Sequence, residues 1–210
     1  MRVTGMKLGV LVAGMALAAT ITVHAQEKGK PGESAPKMSP EEQAMMEKMM
    51  KLAQPGPQHQ QLAKLVGKWN YISNMASMDP SQPPTQSHGS CEREMLLGGR
   101  FLMEKVKGEF TGMPFEGIGI TGYDNAQQKY ISYWIDNFGT MMMTGTGTAD
   151  STGKILTFIS IFDDPVTGEK NKSVRQVLRI VSDDQLTYEM YSTMQGKEIK
   201  MFDMVYQRVK

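Results

Sequence analysis

Few side chains in this sequence are placed to do acid–base chemistry. Asp136 lies between Trp134 and Phe138 in a run of alternating aromatic and polar residues. If that run is a strand with Asp136 turned inward, the carboxylate loses water and its pKa rises. That is the condition of a catalytic acid or of an anchor for a polar ligand head. If Asp136 faces water or an arginine, it is an ordinary surface carboxylate. Glu92 and Glu94, a carboxylate pair, share one strand face. Nucleophilic chemistry has little to draw on. Only three histidines occur, His24, His59 and His88, so no Ser/His/Asp set is assembled. His59 and His88 alone fall short of the three protein ligands a zinc site usually needs. The one cysteine, Cys91, excludes an internal disulfide, and with no CxxCH sequence covalent haem is unsupported. Cys91 reads as a small buried hydrophobe. Gly117, Gly119 and Gly122 fall inside a strand pattern, where they permit close packing rather than cradle phosphate. No catalytic residue, metal or cofactor is assigned.

Methionine is the compositional outlier, with 20 in the chain. Met45/Met49 and Met46/Met50 are neighbours at helical spacing, and Met141 to Met143 form a second group. Thioethers are soft ligands for Cu(I), so one reading is a copper-handling arm. The other is a helix that packs on the barrel or a protein partner, since Met fills irregular apolar surfaces. The second is preferred, because Met141–Met143 alternate faces in a strand and cannot converge.

The elements that position these residues begin after an export signal. Arg2 and Lys7 precede an apolar stretch from Leu8 to Val23, which ends in Val23-His24-Ala25. This is the pattern of a secretory signal peptide over residues 1–25, with cleavage before Gln26, and it places the mature protein in a periplasmic or extracellular compartment. The stretch is shorter than the roughly 20 residues of a membrane span. The mature chain has no spanning segment. Losing residues 1–25 leaves 21 basic against 22 acidic residues, a net charge of −1. Such a balance offers no footprint for nucleic acid and no polybasic lipid patch. Residues 26–38 read as a flexible linker. Ser39-Pro40-Glu41-Glu42 then starts a Met-rich amphipathic helix over 39–54, and Pro55-Gly56-Pro57 stops it. A short helix from Gln58 to Val66 follows, with Leu62, Leu65 and Val66 on one face, suited to plug a barrel end.

From Gly67 onward, short β-branched and aromatic segments alternate with turn residues. The pattern predicts strands at 68–77, 87–96, 100–110, 115–123, 129–137, 140–149, 154–162, 171–182, 185–194 and 197–208. Ten strands with short turns and no intervening helix predict an all-β, antiparallel up-and-down barrel in a domain spanning 57–210. A two-sheet sandwich is the alternative. A ten-stranded barrel is wider than the eight-stranded kind that its own side chains can fill, so its interior is either a pocket or packed with large side chains.

Gly67-Lys68-Trp69 opens the first predicted strand and Tyr206-Gln207-Arg208 closes the last. This resembles the signature of the calycin superfamily, the lipocalins and fatty-acid-binding proteins. The resemblance implies that Trp69 closes the barrel base with Arg208 packed across it. A more extensive likeness covers residues 57–208. It rests on Gly56-Pro57-Gln58-His59, Leu65-Val66-Gly67-Lys68-Trp69-Asn70, Leu97-Gly98-Gly99-Arg100-Phe101-Leu102, Phe115 through Asn125, Trp134-Ile135-Asp136-Asn137 and Asp163-Asp164-Pro165. In these segments the chain resembles the bacterial domain-of-unknown-function 1579 family, which implies a calycin-like fold and no activity. Nitrobindin-type calycins hold haem with a histidine on a late strand, and no histidine follows His88.

The leading expectation is a non-enzymatic exported barrel that binds a small, largely apolar ligand. Its inward candidates are Tyr71, Tyr123, Trp134, Asp136 and Tyr188, with the ligand's polar head near Asp136. On the fifth strand this takes Tyr130, Ser132, Trp134 and Asp136 as the inward face. The alternatives are an enzyme that uses Asp136 on a lipid-like or isoprenoid substrate, and the Met-rich arm binding copper or a protein partner.

Overall fold

The structure is a computed structural model describing residues 38–77, 81–164, 168–194 and 196–210. The expected signal peptide, its cleavage site and linker residues 26–37 lie outside the described residues. The chain divides into two units, Met1–Gln43 and Ala44–Lys210. In the first, Ser39 and Glu42 form the expected reciprocal cap: Glu42 N–H donates to Ser39 Oγ (3.2 Å), and Ser39 N–H donates to Glu42 Oε2 (2.7 Å). This starts helix α1, Pro40–Ala53.

None of α1's residues is fully buried, and Met49 is half-buried. Met45, Met46 and Met50 are exposed. The end of α1 is instead held by polar contacts, where Asn125 Nδ2 donates to the carbonyls of Leu52 and Gln54, 2.8 Å each. Helix α2, Pro57–Ala63, supplies the apolar plug, burying Leu62 and, just beyond its end, Leu65.

Ten strands follow: β1 (Gly67–Met75), β2 (Thr85–Leu96), β3 (Phe101–Phe110), β4 (Met113–Asp124), β5 (Lys129–Asp136), β6 (Met143–Ala149), β7 (Ile155–Phe162), β8 (Lys172–Ser182), β9 (Gln185–Met194) and β10 (Lys197–Arg208). Each pairs antiparallel with its sequence neighbours, and β1 pairs β10, so the sheet is a closed barrel rather than a sandwich. Closure leaves no open edge. The register follows from alternation: Trp69, Tyr71, Cys91, Leu102, Val106, Leu156, Phe158, Leu186 and Tyr206 are buried in one core. Thr111 and Gly112 join β3 to β4 with positive φ of 51° and 80°, the two-residue turn whose twist matches paired strands. The strand expected at 140–149 starts only at Met143, because the β5–β6 ladder ends at the Trp134–Met143 rung. Met141 and Met142 therefore lie in the connecting segment and not on alternating strand faces.

One end of the barrel is sealed. Trp69 is buried there, and its Nε1 donates to the Leu65 carbonyl (2.9 Å). The Arg208 guanidinium carbon lies 4.0 Å from the Trp69 ring centre. Arg208 also donates to the carbonyls of Lys64, Val66 and Asp183. It thus satisfies the end of the plug and a facing turn together.

His59, buried in α2, accepts the Gly56 N–H at Nδ1 (3.0 Å) and meets Tyr123 edge-on. Burial pushes its pKa below the ordinary 6.5, helped by the Arg100 charge and partly opposed by a bond to the Tyr123 backbone. The unfolded chain therefore takes up this proton at a higher pH than the folded domain. The contribution of His59 to stability is full above 6.5 and declines as pH falls through the lowered folded value. The melting temperature should fall between about pH 7.5 and pH 5.5, before ordinary carboxylates protonate, and fall less in His59→Asn. Equal losses in both proteins would remove His59 as the cause.

Candidate functional site

Within the barrel, above the α2 plug, is a chamber of about 470 Å³. Its walls are mainly apolar: Leu62, Leu65, Leu102, Val106, Leu156, Phe158, Leu178, Met190 and Met204 among others. The rim opposite α2 is aromatic. Phe138 packs on Phe110 at 5.0 Å and on Phe115 at 5.7 Å, and Phe115 stacks on Trp134 at 6.3 Å between ring centres. A side chain on Gly117 would collide with the Trp134 indole, so the bare backbone of β4 makes the space in which that ring lies.

On β5, Ser132, Trp134 and Asp136 line the chamber and Tyr130 is buried in the core, while Tyr133 and Ile135 are exposed, Tyr133 also bordering the chamber. Tyr71, Trp134, Asp136 and Tyr188 all line the chamber. Tyr123 is not among the lining residues. It sits at the sealed end, its ring 5.0 Å from Tyr130 and 6.0 Å from His59, where the last turn of β4 meets α2. Asp136 is at the rim with both oxygens engaged: Oδ2 accepts from Trp134 Nε1 (2.8 Å), and Oδ1 accepts from Phe138 N–H (3.0 Å). It fixes the indole and the rim loop. Glu92 and Glu94 point outward, in ion pairs with Lys68 and Lys105 at 3.2 and 3.6 Å.

Besides Asp136 and Glu109, the chamber is lined by the carboxylate of Glu104, on β3 directly across from Arg93 on β2. Arg93 Nε donates to Glu104 Oε2 at 3.0 Å, and Nη2 forms an ion pair with the same oxygen at 3.0 Å. Cys91 Sγ also lies against Oε2, at 3.7 Å. The Arg93 side chain is only 4% exposed, whereas Glu104 is 27% exposed. The guanidinium lies 4.6 Å from the Tyr206 ring centre and 5.8 Å from that of Trp69. Nη1 is sealed from solvent and has no hydrogen-bond partner among the described residues. The aromatic faces are its surroundings, an arrangement that suits a guanidinium.

Burial alone would lower the Arg93 pKa, but the adjacent Glu104 carboxylate, with Cys91 and Tyr206 adding to it, outweighs burial, and the net shift is upward. Arg93 is held in its charged form beside the Glu104 carboxylate. Burial pushes the Cys91 thiol up to about 12, with Arg93 opposing and Glu104 adding to it. That thiol is inert at neutral pH. Burial raises the hydroxyls of Tyr188 and Tyr206 as well, and the Glu104 charge adds to both. Among the described residues no three His, Cys, Asp or Glu side chains converge as a metal site.

Arg93 and Glu104 are the residues that the sequence reading missed. A signal was present. The turn at Leu97–Arg100 is flanked by alternating strands, and residues equidistant from its centre must face one another. Arg93 and Glu104 are such a pair, each at a position whose neighbours two residues away are apolar or thiol-bearing.

The comparisons with known proteins agree with this architecture. The sequence model of a family described as "Protein of unknown function (DUF1579)" matches residues 54–208. No curated protein matches the chain. The fold is similar to that of Rv2717c from M. tuberculosis, 17% identical, over 75% of this chain and 100% of that one, with a TM-score of 0.56. It is also similar to the S-type phycobiliprotein lyase CPES from Guillardia theta, 8% identical, over 74% of this chain and 99% of that one, with a TM-score of 0.51. At these identities the likeness is one of fold.

Proposed function

We propose that this chain, which belongs to the DUF1579 family of proteins of unknown function, binds one small, largely apolar molecule inside its barrel. The observation that carries the reading is the chamber of about 470 Å³, apolar over most of its wall with a few polar groups at fixed depth. Small-molecule sites have this size and composition, roughly 300–1,000 Å³ with sparse polar anchors. Tyr71, Trp134 and Tyr188 are the proposed apolar contacts. Asp136 is the rim group that holds Trp134 in place. Binding of a neutral apolar dye, followed through Trp134 at the rim, tests the reading: saturable one-to-one binding is expected, and its failure would reduce the chamber to unused space.

The enzyme reading that centres on Asp136 draws less support. Its oxygens are committed to Trp134 and Phe138. The same proposal places the mature protein outside the cytoplasm, on the basic, apolar and small-residue pattern of residues 1–25. Intact-mass analysis of exported protein should give a chain beginning at Gln26, and retention of residues 1–25 would overturn this part.

A further inference from the structure

Three features of the barrel are unexplained by apolar binding alone: an ion pair inside it, one carboxylate oxygen left uncommitted, and a tyrosine hydroxyl without a partner. Both Arg93 contacts and the Cys91 contact converge on Glu104 Oε2. Oε1 takes no hydrogen bond among the described residues. The absence of a side chain at Gly119 keeps its place open, since a Cβ there would lie 2.7 Å from Oε1. Tyr188 also lines the chamber and senses the Glu104 charge. Its ring packs on Phe202 at 5.7 Å, and its hydroxyl makes no hydrogen bond among the described residues. Among the chamber's polar groups, which also include Asp136, Ser160 and Gln176, Glu104 Oε1 is an uncommitted anionic acceptor and the Tyr188 hydroxyl an uncommitted donor–acceptor among the described residues.

We propose that the ligand enters head first and that its head is a neutral hydroxyl, donating to Glu104 Oε1 and accepting from the Tyr188 hydroxyl. The inference rests on the chamber reading above and narrows it to apolar alcohols. The electrostatics select against the two charged alternatives. A carboxylate head would meet the Glu104 charge: Arg93 also lines the chamber, but its free nitrogen is closed to solvent and its other contacts are taken by Glu104. An ammonium head would find a carboxylate already matched by a guanidinium, leaving a net positive charge in an apolar enclosure. A hydroxyl adds no charge and satisfies a site that otherwise holds an unbonded carboxylate oxygen.

The experiment is displacement of N-phenyl-1-naphthylamine from the full mature chain by three probes of one chain length: 1-decanol, decanoate and decylamine, at about pH 7.5. The alcohol should bind at least about tenfold tighter than either charged probe, the value of one hydrogen bond to a charged group. In Glu104→Gln, Arg93 loses its counter-ion, so decanoate should overtake decanol. Tyr188→Phe removes one hydroxyl, leaves the ion pair intact, and should weaken decanol alone. Equal affinities, or tighter decanoate in the unaltered protein, would overturn the hydroxyl assignment and leave the chamber reading standing. An unchanged decanol preference in Tyr188→Phe would also overturn it, even if Glu104→Gln fails to fold. Displacement by none of the three would overturn both.

Discussion

Trp69→Ala will lower the unfolding free energy by roughly 3–5 kcal/mol, the range for deleting a large aromatic from a core that cannot collapse. The indole joins four parts of the fold at once. It lies on β1, bonds the Leu65 carbonyl beyond α2, carries Arg208 of β10 on its face, and has Arg93 of β2 within 5.8 Å. Removing it leaves Arg208 with its carbonyl partners but no surface to lie on. Trp69→Phe keeps most of the apolar bulk and loses the Nε1 bond, so it should cost about 1–2 kcal/mol. Urea unfolding followed by circular dichroism measures both. A loss below about 1 kcal/mol for Trp69→Ala would mean that the seal is made by α2 alone.

Arg93→Met will destabilise the barrel by about 3 kcal/mol, the low end of the range for a broken buried ion pair, because Glu104 still reaches the chamber. The methionine replaces much of the stacking volume on Tyr206, so the loss reports mainly the stranded carboxylate. The double variant Arg93→Met/Glu104→Leu should recover to within about 1 kcal/mol of the unaltered protein, since a buried pair replaced by apolar side chains is often neutral. Two single losses that simply add in the double variant would show that the residues do not act as a pair.

The barrel was legible because its turns are written in turn-forming residue types, Asp, Asn, Gly and Pro. Asp124-Asn125 and Asp183-Asp184 mark strand ends to within a residue, and no helix interrupts the alternation. The start of β6 was less legible, since Thr140 to Met142 have strand-like composition and only the missing partner rungs show that they lie outside the ladder. Tyr123 was misplaced because alternation gives its face but not its depth. At the last turn of β4, an inward tyrosine meets His59 and the sealed end instead of the chamber. Asp136 drew attention as a carboxylate among aromatics, but the indole two residues away takes up one of its oxygens, and chemistry between i and i+2 on one strand face is hard to anticipate from residue type. Arg93 and Glu104 were hidden for a different reason. Each alone resembles an ordinary surface charge, and only the hairpin register makes them an interior pair.

The central claim is that the interior is a binding chamber and not a filled core. Titrating the mature chain with N-phenyl-1-naphthylamine, beside a Ser132→Phe variant, tests it most directly. Ser132 lines the chamber from β5 and takes no part in the Arg93–Glu104 contacts or the Trp69–Leu65 bond, so a phenyl ring there is placed to occupy chamber space. The unaltered protein should bind one dye per chain with a saturable change in tryptophan emission, and Ser132→Phe should bind at least about tenfold more weakly while keeping its circular dichroism spectrum. No saturation in the unaltered protein, or equal binding by the folded variant, would contradict the account.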